Sequence, residues 1–119
     1  MTDWARIRAV VEKDAEERDQ YIVQHEDGRE TYCVIGGLLH DAGPEGQALL
    51  VRARDGVMLN RLRITEKGWA ATARKVLEKV YGLTAGQCTV FQQLNDNSVI
   101  QTVRREALLA YIDKQEALP

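Results

Sequence analysis

Residues 48–64, ALLVRARDGVMLNRLRI, constrain the fold most, because one turn in this stretch separates its side chains by polarity. An Asp-Gly pair between β-prone residues is typical of a two-residue hairpin turn, where both turn positions need a positive φ. Folding at Asp55 and Gly56 places apolar residues such as Val51 and Leu62 on one face. The opposite face then carries four arginines: Arg52, Arg54, Arg61 and Arg63. The pattern predicts a hairpin with a core face and a basic face.

Five other segments carry the apolar spacing of helices. Thr2 or Asp3 can cap the first, over residues 2–18, and Gly43 with Pro44 closes a short second one. The other three are residues 69–81 before Gly82, a segment opened by a Thr84 and Gln87 capping box, and a last helix that Thr102 can cap.

A first hairpin is predicted by the Asp27-Gly28 dipeptide, which lies between two short β-prone runs. A two-residue turn at this point pairs Val23 with Tyr32 across the hairpin. With the hairpin described above and the five helices, we expect an α+β fold. It is a helix-rich single globular domain over residues 1–119, with two β-hairpins packed against helices.

The charge is distributed unevenly, although the net charge is only −2. Residues 1–47 carry five Arg and Lys against eleven Asp and Glu, whereas residues 48–80 carry eight against three. Two interpretations remain open. The basic segment binds an acidic partner such as nucleic acid, or it packs against the acidic first helix through Glu12, Glu16 and Glu17.

Three short motifs occur along the chain: Tyr21 with Gln24, the run YCVIGGLL at residues 32–39, and Leu94-Asn95-Asp96. In order and approximate spacing, the chain resembles a family of small uncharacterised phage and bacterial proteins. Its members carry Tyr-x-x-Gln, Cys-x-x-Gly-x-Leu and a C-terminal Leu-Asn-Asp before an amphipathic helix. This chain has Val34 where the family often has a second cysteine, and Asn97 where it often has glycine. The resemblance implies a mobile-element origin and supplies no catalytic residues.

Cys33 is the strongest catalytic candidate, because a thiol near the start of a helix has its thiolate stabilised by the helix dipole. His25 or His40 could serve as its base. However, His40 lies seven residues beyond Cys33, about two helical turns or roughly 10 Å along a continuous helix. The hairpin pairing sets His25 beside Glu30. Since free cysteines are among the most buried residues, a packed structural thiol is the favoured interpretation.

No metal site or cofactor is predicted. The sequence has neither a Cys-x-x-Cys nor a His-x-x-x-His pair, and residues 95–106 lack the glycine of a calcium-binding loop. Gly36 and Gly37 do not match a nucleotide-binding motif. Residues 84–111 have a helix-turn-helix organisation, but the second helix has too few arginines and amides for a DNA-reading helix.

We therefore expect a non-enzymatic accessory protein of a phage or prophage that binds another macromolecule. The favoured partner is a protein. The predicted binding residues of this chain are the four arginines of the hairpin face. Nucleic-acid binding through that face, or a cysteine-dependent hydrolase or transferase using Cys33, is the alternative. Cys33 and Cys88 as separate thiols, and residues 1–8 without a signal-peptide pattern, favour the cytoplasm. No apolar run approaches the ~20 residues of a membrane span, so no membrane partner is expected.

Overall fold

A computed structural model of the protein describes residues 1–18, 20–54 and 57–119, with the side chains of 57–67 excepted. These residues form six helices and one two-stranded sheet. In chain order they are α1 Trp4–Lys13, β1 Ile22–Gln24, β2 Glu30–Tyr32, α2 Val34–Asp41, α3 Pro44–Arg54, α4 Val57–Tyr81, α5 Ala85–Asp96 and α6 Gln101–Glu116. Within the described part, no helix is long and apolar enough to cross a membrane.

The central element is α2, which packs against α1, α3, α4 and α5. Val34, Leu38 and Leu39 of this helix are fully buried. Only its last two residues, His40 and Asp41, are polar and exposed, so the rest of the helix has no polar face to present to water and its neighbours must enclose it. The result confirms a helix-rich fold with a small antiparallel sheet.

The first helix ends earlier than predicted, at Lys13 instead of residue 18. Asp3 caps its start, as expected, by accepting a hydrogen bond from the backbone N–H of Arg6. Ala15 then takes the left-handed conformation, with φ of 63°, and ends the helical path. The backbone N–H groups of Glu16 and Glu17 both donate to the Tyr32 carbonyl oxygen instead of continuing α1. These tertiary bonds override the helical propensity of residues 14–18.

The first hairpin is confirmed, but its predicted register is wrong by one residue. Tyr32 pairs with Ile22, and not with Val23. The loop has three residues, because the N–H of Gly28 donates to the carbonyl of His25 and Gly28 has a φ of +86°. The N–H of His25 then donates to the carbonyl of Arg29, so that His25 does not pair with Glu30 as expected. A turn followed by a left-handed glycine is a common way to close a three-residue hairpin loop.

The second hairpin is wrong: both of its predicted strands are helical, in α3 and in the first part of α4. Leu49 and Leu50 are adjacent and both buried, which a helix permits and a strand with one solvent-facing side, as the predicted hairpin requires, does not. The Trp69 indole N–H donates to the Leu49 carbonyl at 3.1 Å and ties α4 to α3. Asp55 and Gly56, the predicted turn, lie outside the described residues.

The remaining helix boundaries largely follow the local signals. The predicted helix at residues 69–81 is the second half of α4, and Gly82 ends it with a φ of +78°. The Thr84 and Gln87 capping box is present at the start of α5. The last helix begins one residue before Thr102, at Gln101, so Thr102 is not its cap.

Candidate functional site

The motif residues Tyr21, Cys33 and Gly36 meet at the N-terminus of α2. The Cys33 sulfur accepts a hydrogen bond from the Gly36 N–H at 3.3 Å and so acts as the N-cap of α2. A Cβ on Gly36 would lie 1.8 Å from the carbonyl oxygen of Tyr21, which means that only glycine allows this contact. These residues form a structural joint between α2 and the segment before β1.

The third motif joins the same place through Asn95. Its Oδ1 accepts from the Val34 N–H at 3.0 Å, and its Nδ2 donates to the Glu17 carbonyl at 2.9 Å. The side chain is 1% exposed. Asn95 lies in α5 and satisfies a backbone group of α2, 61 residues away. The first N–H groups of any helix lack partners within the helix. This was the available signal that the start of α2 would need a polar side chain from elsewhere in the chain.

The Cys33 thiol lies in a poor environment for a nucleophile. The residue is 5% exposed, and burial raises the pKa of the thiol to about 12. The hydrogen bond from the Gly36 N–H acts in the opposite direction and offsets only part of this rise. The thiolate is therefore disfavoured at neutral pH. The other thiol, Cys88, is also buried and free, and burial raises its pKa to about 11.

The two histidines bind different partners. The Nε2 of His25 is 2.9 Å from the Thr31 hydroxyl, which donates to a Glu17 carboxylate oxygen at 2.6 Å. His40 stacks on Tyr32 with ring centres 4.9 Å apart, and its Nδ1 is 3.2 Å from the Tyr32 hydroxyl. Among the described residues, neither histidine makes a hydrogen bond with Cys33. The arrangement lacks the nucleophile and base contact that a cysteine enzyme needs.

The predicted basic face is replaced by a basic end of the α3–α4 pair. Arg52 and Arg54 lie in the last turn of α3, with both residues exposed. Arg61 and Arg63 lie in α4, but their side chains are outside the described residues. Residues two apart on a helix do not face each other, so Arg52 and Arg54 do not share one face of α3. We call these four residues the basic end.

Polar contacts join the acidic first helix to α6, although the charge distribution suggested the basic segment at residues 48–80 as its partner. Arg105 of α6 donates to the carbonyls of Asp14 and Lys13, and Arg8 of α1 pairs with Asp113 and Glu116 of α6. Arg54 instead has its Nη1 3.8 Å from a carboxylate oxygen of Glu30 in β2. Thus α6 pairs with one basic side chain of α1 and with backbone carbonyls at its end, and among the described residues no ion pair joins Glu12, Glu16 or Glu17 to Arg52 or Arg54.

Arg104 lies in the second helix of the helix-turn-helix segment at residues 84–111 and is 3% exposed. Its guanidinium donates to the carbonyl oxygens of Ala15, Glu16 and Ser98. A forked guanidinium can hold several carbonyls at once, which explains why an arginine is used here. The side chain fixes the end of α1 and leaves no free group for a nucleic acid.

A partly open cavity lies between α4, α5 and the segment before β1. Its free space, counted out into the open solvent at its mouth, is about 360 Å³, and only part of this is enclosed by the protein. Its walls are apolar and aromatic, and include Tyr21, Ile35, Trp69 and Leu77, while Arg74 contributes the single charge among the described lining residues. The ring centres of Tyr21 and Trp69 are 4.5 Å apart, so the two aromatics form one wall.

The described residues contain no cluster of three or more histidine, cysteine or carboxylate groups that could hold a metal ion. Comparison with protein-family models, with curated proteins and with solved structures finds no match to this chain.

Proposed function

We propose that this chain is a non-enzymatic accessory protein that binds an acidic surface of another protein through its basic end. The observation that carries the proposal is the exposure of Arg52 in the last turn of α3, with Arg54, which Glu30 partly engages, two residues on and directly before the helix that contains Arg61 and Arg63. Arginine binds carboxylates through its planar fork at a low desolvation cost, as a recognition surface requires.

Two features of the described residues support binding over catalysis. Cys33, His25 and His40 are held in separate contacts, and the Cys33 thiol is buried. By contrast, Arg52 is exposed and makes no ion pair with a described residue. A charged group that the fold leaves available to solvent can meet a partner without unfolding anything.

The setting that we propose is a phage or prophage protein in the cytoplasm. The origin rests on the resemblance of the three sequence motifs, and the compartment on the two free thiols. Neither part of this setting is needed for the binding proposal.

The test is a capture experiment with the tagged full chain and a host lysate, read by mass spectrometry. The variant carries Arg52→Glu and Arg54→Glu. Its matched control carries Lys75→Glu and Lys114→Glu, which change the net charge equally at two exposed lysines elsewhere. We expect a protein that the wild type and the control retain and the arginine variant loses. An identical set of proteins from all three chains would contradict the proposal.

Nucleic acid is the second candidate, favoured by the excess of eight basic over three acidic residues in 48–80. Fluorescence anisotropy with labelled single- and double-stranded oligonucleotides at low salt measures it directly. Arginine contacts to phosphate would give an affinity that falls steeply with salt. Such binding, lost in the arginine variant and kept in the lysine control, would replace protein by nucleic acid as the partner.

A further inference from the structure

The cavity between α4 and α5 has the chemistry of a small binding site. Ala70 and Ala73 face it from α4, and these short side chains leave the space that larger ones would fill. Trp69 is held in the wall by the hydrogen bond from its indole N–H to the Leu49 carbonyl. Tyr21 is held by Gln92, whose amide donates to the tyrosine hydroxyl at 3.3 Å. The walls are therefore in place before any ligand arrives.

Arg74 supplies the charge of this cavity. Its side chain lines the space, and the residue is exposed to solvent. The Arg74 side chain makes no hydrogen bond or ion pair with any residue whose side chain the structure describes. The nearby Cys88 responds to it: burial raises the pKa of that thiol, and the Arg74 charge opposes the rise. A guanidinium at the mouth of an apolar cavity favours a ligand with an apolar body and an anionic head.

We propose that this cavity binds a small aliphatic carboxylate, with its branched hydrocarbon between Tyr21, Trp69 and Leu77 and its carboxylate on Arg74. The aliphatic end fits because the walls facing the space are apolar and the enclosed part is too small for a large ring system. The carboxylate end fits because Arg74 donates in a fork that matches two oxygens. Gln92 also lines the cavity, and the second N–H of its side-chain amide can accompany the head group, whereas the Thr89 hydroxyl already donates to the Ala85 carbonyl.

The probe that we choose is isovalerate, and the readout is the fluorescence of Trp69 in a Trp4→Phe background. This background leaves Trp69 as the only tryptophan, because the chain has two. Titration at constant ionic strength should give a saturable change in emission. Isovaleramide has the same shape without the charge, and acetate has the charge without the branched body. We expect each to bind at least about tenfold more weakly than isovalerate.

Two variants separate the charge from the space. Arg74→Gln should weaken isovalerate binding at least about tenfold and leave isovaleramide unchanged, whereas Lys75→Gln, on the next residue of α4, should change neither. Ala73→Leu should fill the cavity and abolish binding of both probes. Thermal unfolding of each variant shows whether it is folded. If Ala73→Leu is not folded, Arg74→Gln, which changes an exposed position, still tests the role of the charge.

Three results would overturn the proposal. The first is that Trp69 fluorescence shows no saturable change at tens of millimolar isovalerate. The second is equal affinity for isovalerate and isovaleramide. The third is that Arg74→Gln binds isovalerate as tightly as the wild type does. A single-site fit with the expected order of probes and variants would support it. The basic end plays no part in this site, so binding of isovalerate should be the same in the Arg52→Glu and Arg54→Glu variant.

Discussion

Replacing Asn95 by alanine should cost more than any change at an exposed polar residue of the same region. The substitution removes the acceptor of the Val34 N–H, which lies in the first turn of α2 and has no helical partner. A buried N–H left without a partner costs about 1–3 kcal/mol. The loss of the bond to the Glu17 carbonyl adds about 1 kcal/mol, so we expect a total of about 2–4 kcal/mol.

Urea unfolding followed by far-UV circular dichroism measures this difference. The matched control is Asn97→Ala, since Asn97 is exposed at the end of the same helix and should cost under about 0.5 kcal/mol. The midpoint should fall for Asn95→Ala with little change in the denaturant slope. Equal midpoints for the two variants would refute the view that Asn95 joins α5 to the start of α2.

Three further predictions concern buried positions. Gly36→Ala should destabilise the fold by more than about 2 kcal/mol in thermal unfolding, because its Cβ meets the Tyr21 carbonyl, whereas Gly68→Ala in an open part of α4 should stabilise it by about 0.5–1 kcal/mol. Burial raises the pKa of Asp14, so the folded state holds that proton more tightly than the unfolded chain does. The stability of the wild type relative to Asp14→Asn should therefore fall as pH rises through the raised pKa and stay low above it. Urea unfolding between about pH 4 and pH 8 measures this, and a difference that is constant with pH would exclude it. Finally, Cys33 should resist iodoacetamide near neutral pH until the protein unfolds, as mass spectrometry can show; rapid labelling of the folded chain would restore the catalytic hypothesis.

Signals that act over a few residues predicted the structure well. The capping box of Thr84 and Gln87 and the stop at Gly82 both depend on groups within one turn of the chain. The apolar spacing of residues 69–81 also identifies a helix without knowledge of its neighbours. Such features are determined locally, so that the sequence alone was sufficient to find them.

The error at residues 48–64 has a different origin. The alternation around Val51 and Arg52 fits a strand, but in a hairpin with one solvent-facing side the adjacent Leu49 and Leu50 could not both be buried, whereas on a helix they can. The bond from Trp69 to the Leu49 carbonyl supports that helix from 20 residues away. The hydrophobic pattern of residues 48–64 does not reflect such a contact, so the sequence alone could not separate the strand from the helix.

The cavity and the joint at α2 were missed for the same reason. Asn95 resembles a turn residue in the sequence, and its role depends on Val34 being brought to it by the fold. Trp69 and Leu77 belong to the apolar stripe of residues 69–81, but the space left beside Ala73 follows from how α4 and α5 pack. Short side chains in an apolar stripe do not show by themselves whether a neighbour fills the gap.

The most direct test of the proposed function follows the binding surface at residue resolution. The partner recovered by capture is titrated into the ¹⁵N-labelled full chain, and the backbone and arginine side-chain resonances are recorded. Binding through the basic end predicts shifts concentrated at Arg52, Arg54 and the following helix, with Lys75 and Lys114 unaffected. Shifts centred on another surface, with the resonances of Arg52 and Arg54 unchanged, would contradict the proposal.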